Sequence, residues 1–185
     1  MNVILWALIA LGVAFGVVFL AARSAQRRLP AVVLPPGEKM PRTALQQLAG
    51  RSLLFCLPLV VAAAGIVTYH GAQVYWDNDQ VRLTVTGLLL AALAVFAFYA
   101  ARVGTWTARD DGRLDERDRA ILASAPAGQA PAMLVTLAAW MIGLVETYHG
   151  THLVPSVYLY LIFWSCLMVS LLATFAGILI GYRRS

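Results

Sequence analysis

Apolar residues run along the chain in long uninterrupted stretches, separated by short polar segments. A helix that crosses a bilayer needs about 20 mostly apolar residues, because each residue rises about 1.5 Å across a hydrocarbon core about 30 Å thick. Five stretches meet or approach this length, which predicts an all-α, polytopic membrane bundle of five transmembrane helices. The predicted spans are residues 2–22, 52–69, 83–101, 132–148 and 154–182.

The two ends of this pattern need separate interpretation. The first stretch, from Asn2 to Ala22, is followed by Arg23 and loosely resembles a signal peptide. It has no basic residues before the apolar run, and that run is too long, so we interpret it as a retained first helix. The fourth stretch is short, whereas the fifth is longer than a span requires. The fifth helix is therefore expected to tilt or to project beyond the lipid.

Polar residues ahead of two apolar stretches predict where helices begin. Thr43-Ala44-Leu45-Gln46 has the spacing of a capping box, so the second helix should start well before its apolar span. Asp115 is a good N-cap for a short helix that precedes the fourth span. We interpret the mixed charges of this short helix as a solvated face, and the alternative is that they form a docking site for a partner.

The composition supports lipid as the main solvent of this chain. Of the 185 residues, 61% are hydrophobic and only 12% are charged, whereas soluble domains carry about 25% charged residues. We therefore expect one integral membrane domain over residues 1–185. The net charge of +5 does not indicate nucleic-acid binding, because the basic residues sit at the ends of apolar runs rather than in one patch.

The basic residues also predict an orientation. Thirteen of the fourteen fall on one side of the predicted map, and Arg82 falls on the other. Cytoplasmic loops are enriched in Lys and Arg, so the loops 23–51 and 102–130 and the C-terminus are expected in the cytoplasm of a bacterium, with the N-terminus outside its inner membrane.

A short motif occurs twice in the chain. Thr68-Tyr69-His70-Gly71 recurs as Thr147-Tyr148-His149-Gly150, and Gly65-Ile66-Val67 upstream matches Gly143-Leu144-Val145 with Glu146 inserted. The pattern suggests a parallel repeat of two-helix units, with spans two and three matching spans four and five. Chance identity in a chain of restricted composition is the alternative.

The histidines form the one candidate site for a ligand. His70, His149 and His152 all fall on the predicted outer side, and Glu146 lies three residues before His149. Glu146, His149 and His152 have a spacing that suits a divalent metal. His70 and His149 are the pair that suits axial ligation of a haem or a chlorophyll-type cofactor. The alternative is structural, because such side chains also bond to freed helix carbonyls and lipid headgroups.

The remaining motifs concern packing. Gly12 and Gly16, and Gly177 and Gly181, have the Gly-x-x-x-Gly spacing that lets helices approach closely. The chain contains no catalytic motif, and no ionisable residue lies in the middle of a predicted span. The leading hypothesis is therefore a non-catalytic membrane protein, an accessory or structural subunit of a larger membrane complex. The alternatives are a cofactor-binding membrane protein and, third, a small transporter or channel.

Overall fold

The computed structural model of the protein describes residues 43–109, 114–150 and 153–184. Within these ranges 92% of the residues are helical and no strand is present, which confirms the prediction of an all-α membrane bundle. The helices are α1 (Ala44–His70), α2 (Ala72–Asp77), α3 (Asp79–Arg109), α4 (Glu116–Ser124), α5 (Gln129–Tyr148) and α6 (Val157–Arg184), with a 3-10 turn at Ala125–Gly128.

Four helical segments of the described chain are long and apolar enough to cross a membrane. They are α1, α3, the continuous stretch Glu116–Tyr148 that ends with α5, and α6. They correspond to the second to fifth predicted spans. The first predicted span, with Gly12 and Gly16, lies outside the described residues, as does His152.

The helices α1 and α3 form an antiparallel hairpin. The hydroxyl of Thr43 accepts a hydrogen bond from the Gln46 backbone N–H at 3.2 Å, which is the N-cap that the capping-box spacing predicted. Midway along the hairpin, the Cys56 thiol lies 3.4 Å from the Ala92 carbonyl oxygen. The hairpin is longer than its apolar core, since α3 has 31 residues and continues well into the predicted loop 102–130.

The helices α5 and α6 form a second antiparallel hairpin. The Trp140 indole N–H donates to the Ser165 hydroxyl at 2.8 Å. Nearer the turn of the hairpin, the Tyr148 and Tyr158 hydroxyls are 3.1 Å apart. These pairs link successive levels of the two helices, because inside a bilayer polar side chains find partners on neighbouring helices rather than in water.

Helix α6 occupies the centre of the bundle. Half of the residues in its most apolar 18-residue segment are buried, compared with 17–22% in the corresponding segments of the other three spans. Its aromatic side chains contact α3, where Phe175 lies edge-on to Tyr99 with ring centroids 5.0 Å apart. The aromatic residues of α6 occupy several faces of the helix, and its central position gives them neighbours on several sides.

The two hairpins point the same way. Thr86 of α3 lies near Tyr160 of α6, and Tyr99 lies near Phe175, so these two helices run parallel. A parallel repeat requires this arrangement of its second helices. The structure adds no test of whether the two hairpins are related in sequence, and the repeat stays a prediction.

The glycine that ends each copy of the Thr-Tyr-His-Gly motif has a different backbone role. Gly71 has φ +83°, which turns the chain from α1 into α2, whereas the backbone at Gly150 does not adopt a positive φ. Because side chains disfavour positive φ, Gly71→Ala should lower the free energy of unfolding by about 1 kcal/mol. Gly150→Ala is the matched control and should be nearly neutral, and thermal unfolding in mild detergent measures both. If both variants lose the same stability, the positive φ of Gly71 does not distinguish the two glycines as proposed.

Candidate functional sites at the two ends of the bundle

The bundle has two chemically different ends. At the first, which we name the histidine end, α1 finishes at His70 and α5 finishes next to His149. At the opposite end, named the arginine end, α1 begins and α3 and α6 finish, which brings Arg51, Arg102 and Arg183 to the same side of the bundle.

At the histidine end, His70 and His149 are both exposed. The His70 ring lies edge-on to the Tyr69 ring at 5.0 Å. Nδ1 of His149 lies 3.2 Å from the backbone carbonyl oxygen of Glu146. With a proton on Nδ1, His149 can donate to this carbonyl, which is the structural role considered for a histidine at a helix end.

The two copies of the motif share one local interaction. The Thr68 hydroxyl donates to the Gly65 carbonyl oxygen at 2.9 Å, and the Thr147 hydroxyl donates to the Gly143 carbonyl oxygen at 2.7 Å. The first bond spans three residues and the second spans four. The inserted Glu146 accounts for this difference, so equivalent threonines reach equivalent glycines.

The described residues contain only part of the predicted ligand set. Helix α1, which ends at His70, packs mainly against α3, whereas α5, which ends next to His149, packs mainly against α6. No group of three or more His, Cys, Asp or Glu side chains suited to a metal is found among residues 43–109, 114–150 and 153–184. Glu146 and His149 share one helix end, and His152 lies outside the described residues. Metal, haem or chlorophyll binding there stays a prediction.

A short helix that the sequence did not predict covers the histidine end. In α2 the Tyr75 side chain is completely buried, and its ring stacks on Tyr160 of α6 with centroids 6.3 Å apart. Burial raises the pKa of the Tyr75 hydroxyl to about 12. Arg82 contacts Asp79 at 2.5 Å and donates to the Trp76 carbonyl oxygen at 2.9 Å. Arg82, the one Lys or Arg at this end among the described residues, is therefore held by local partners.

At the arginine end, a buried carboxylate links three segments that are far apart in sequence. Asp118 of α4 is 1% exposed and accepts a hydrogen bond from the Tyr182 hydroxyl of α6. The Thr43 hydroxyl, at the N-cap of α1, donates to the same tyrosine oxygen at 2.8 Å. The Arg117 guanidinium lies 5.3 Å from the centre of the Tyr182 ring. We refer to Thr43, Asp118 and Tyr182 as the polar latch.

The polar latch changes the interpretation of α4. Asp115 caps the helix, accepting from the Asp118 backbone N–H at 2.6 Å, as its position predicted. The charged face of α4 is solvated at Asp115, Glu116 and Arg119, which are exposed. Asp118 departs from this interpretation, because it is buried together with Ile121 against the rest of the bundle. A buried carboxylate is stable only with hydrogen-bond partners, and here the Tyr182 hydroxyl of α6 donates to it.

The 3-10 turn after α4 packs closely on α6. A Cβ placed on Gly177 would lie 2.7 Å from the Ala125 carbonyl oxygen, closer than Cβ atoms approach backbone. The absence of a side chain at Gly177 is therefore what lets α6 and the turn meet. This is a close approach within the chain, of the kind for which the Gly177 and Gly181 spacing is suited.

Comparison of the chain with protein-family models, curated proteins and solved structures finds no match. The class of protein is therefore set by the fold alone. It is a helical integral membrane protein with one central helix and two parallel-oriented hairpins.

Proposed function

We propose that the protein is a non-catalytic, multi-pass protein of the bacterial inner membrane that serves as an accessory or structural subunit of a larger membrane complex. The observation that carries the proposal is the unequal burial of the spans. In three of the four described spans, only 17–22% of the residues in the most apolar 18-residue segment are buried. The chain thus presents wide apolar faces around a single buried helix.

Several of these exposed side chains are large. On α5, Leu134 is 65% exposed and Met141 is 62% exposed, and they lie seven residues apart on one face of the helix. Lipid tails solvate such a face, and so does the apolar face of another membrane subunit. A face of this kind suits association with neighbouring subunits by packing.

The buried polar groups favour a structural role over transport. Among the described residues the buried polar or charged side chains are Ser52, Asp118, Thr136 and Thr174. Only Asp118 is ionisable in this set, and it lies at the arginine end, bound to Tyr182. Proton and ion carriers usually place acidic, basic or histidine side chains near the bilayer midplane, and the described spans have no Asp, Glu, His, Lys or Arg there.

The proposed orientation has the N-terminus outside and the C-terminus in the cytoplasm. Its support is the gathering of arginines at one end of the bundle and the local pairing of Arg82 at the other. Reporter fusions at Asn78 and after Ser185 test it. The expected result is an external signal from the first fusion and a cytoplasmic signal from the second, and the reverse pair of signals would overturn the orientation.

Extraction of native membranes with a mild detergent tests the proposed function. The tagged chain should migrate on a native gel well above the size of a 20.0 kDa protein in a detergent micelle, and other membrane proteins should accompany it. The His70→Ala, His149→Ala double variant should keep this behaviour. A chain that migrates alone would contradict the proposal. Metal or visible absorbance that the double variant loses would favour cofactor binding instead.

A further inference from the structure

An open groove runs along the surface between α1 and α3, near the arginine end. Its volume is about 480 Å³. Its apolar walls include Leu48 and Phe55 from α1 and Val95 and Phe98 from α3, and Arg51 lies among them. An open groove with apolar walls and one cationic side chain combines the two properties of a phospholipid-binding surface.

A second arginine borders the same groove. The Arg102 guanidinium lies 5.2 Å from the centre of the Phe98 ring. Helical side chains lean toward the N-terminus of their own helix, so Arg51 leans toward the arginine end and Arg102 leans away from it. Since the helices are antiparallel, this tendency directs both guanidinium groups toward the level of Phe98.

The two arginines at this place lack an ion-pair partner among the described residues. Arg51 and Arg102 are both exposed, and neither forms an ion pair within the part of the chain that the structure describes. Arg82, at the histidine end, contrasts with them because it is paired with Asp79. Two exposed guanidinium groups beside an apolar groove are complementary to a phosphate attached to acyl chains.

We propose that this groove is a binding site for one anionic phospholipid. An acyl chain lies along Phe55 and Val95, and the phosphate of the headgroup binds Arg51 and Arg102. A zwitterionic lipid binds less well, because its cationic headgroup adds positive charge beside the two arginines. Free phosphate also binds less well than the anionic lipid, because it leaves the apolar walls of the groove uncovered. The proposal goes beyond the subunit role, and it holds for either orientation of the chain in the membrane.

Native mass spectrometry of the full-length protein, delipidated and then supplied with defined lipids, tests the headgroup. Phosphatidylglycerol should be retained in preference to phosphatidylcholine, and inorganic phosphate alone should not displace it. Arg51→Gln and Arg102→Gln should each weaken phosphatidylglycerol retention by about fivefold. Arg82→Gln is the matched control, with the same loss of charge at the opposite end, and should have no effect. Equal retention of the two lipids would overturn the proposal.

A second pair of variants tests the groove without changing the charge. Ala94 lines the groove and is exposed, so Ala94→Trp should fill it and reduce lipid retention. Ala97 is also exposed on α3 but does not line the groove, so Ala97→Trp is the control. Equal retention by these two variants would contradict an acyl chain in the groove.

Photo-crosslinking identifies the occupant directly in native membranes. A benzophenone amino acid in place of Phe55, which is 62% exposed, places the reactive group in the groove. The expected product is a phospholipid adduct. A peptide adduct, from the N-terminal segment of this chain, a second copy or another protein, would overturn the proposal.

Discussion

The Gly177→Ala variant is expected to be less stable than the wild-type protein by about 1–3 kcal/mol, the usual cost of overpacking a well-packed site. The added methyl group would lie 2.7 Å from the Ala125 carbonyl oxygen and 3.2 Å from the Ala125 Cα. Both atoms belong to the backbone, so no side-chain rotation relieves the clash. Either α6 or the 3-10 turn has to move. Thermal or denaturant unfolding in mild detergent measures the loss.

The control for this variant is Gly87→Ala on α3. Gly87 lies inside a long apolar helix as Gly177 does, but a Cβ there meets nothing within 4 Å. Alanine is the better helix former by about 1 kcal/mol, so Gly87→Ala should be neutral or slightly stabilising. If the two variants unfold alike, the close contact between Gly177 and Ala125 does not contribute to stability as the geometry indicates.

The features that the sequence predicted correctly are local ones. The N-caps at Thr43 and Asp115 depend on residues within four positions, and both are present. The four described spans depend on runs of apolar residues, which a bilayer selects by length alone. The central position of α6 also has a local signal, because its aromatic rings point in several directions and need neighbours on several sides.

The polar latch was missed because its signal is not local. The hydroxyl of Tyr182 and the carboxylate of Asp118 are 64 residues apart in the chain. Asp118 stands among charges of both signs, a pattern that is typical of a solvent-facing helix. Whether Asp118 is buried depends on how α4 docks on α6. A sequence pattern carries no information on that docking.

At the histidine end, too, the sequence predicted local features but not how the helices pack. The repeated motif correctly placed His70 and His149 at or beside the ends of helices. Whether two such residues meet depends on which helices pack together, and α1 packs mainly against α3 whereas α5 packs mainly against α6. The short helix α2 was missed for a related reason. Its six residues gain their stability from the burial of Tyr75 against α6, and a stretch of this length has little helical preference of its own.

Loss of the Tyr182 hydroxyl is expected to loosen α4 from the bundle. Tyr182→Phe removes the donor to the buried Asp118 carboxylate and the acceptor of the Thr43 hydroxyl, while the ring remains. A buried polar group left without its partner costs about 1–3 kcal/mol, and more if it is charged. Since the carboxylate regains its hydration when α4 moves out, the variant should favour the undocked helix.

A cysteine reporter on α4 measures this undocking in membranes. Ile121 is completely buried, so an Ile121→Cys thiol should react slowly with a water-soluble maleimide in the otherwise wild-type protein and at least several-fold faster with Tyr182→Phe. The native Cys56 and Cys166 are buried and should add little background. Tyr69→Phe is the matched control, because Tyr69 is 86% exposed.

A double variant gives a second test. Asp118→Ala should remove most of the effect of Tyr182→Phe on stability, because the two groups act as one unit. Unchanged maleimide reactivity in the Tyr182→Phe protein, or strictly additive losses of stability, would show that the latch does not hold α4 in place.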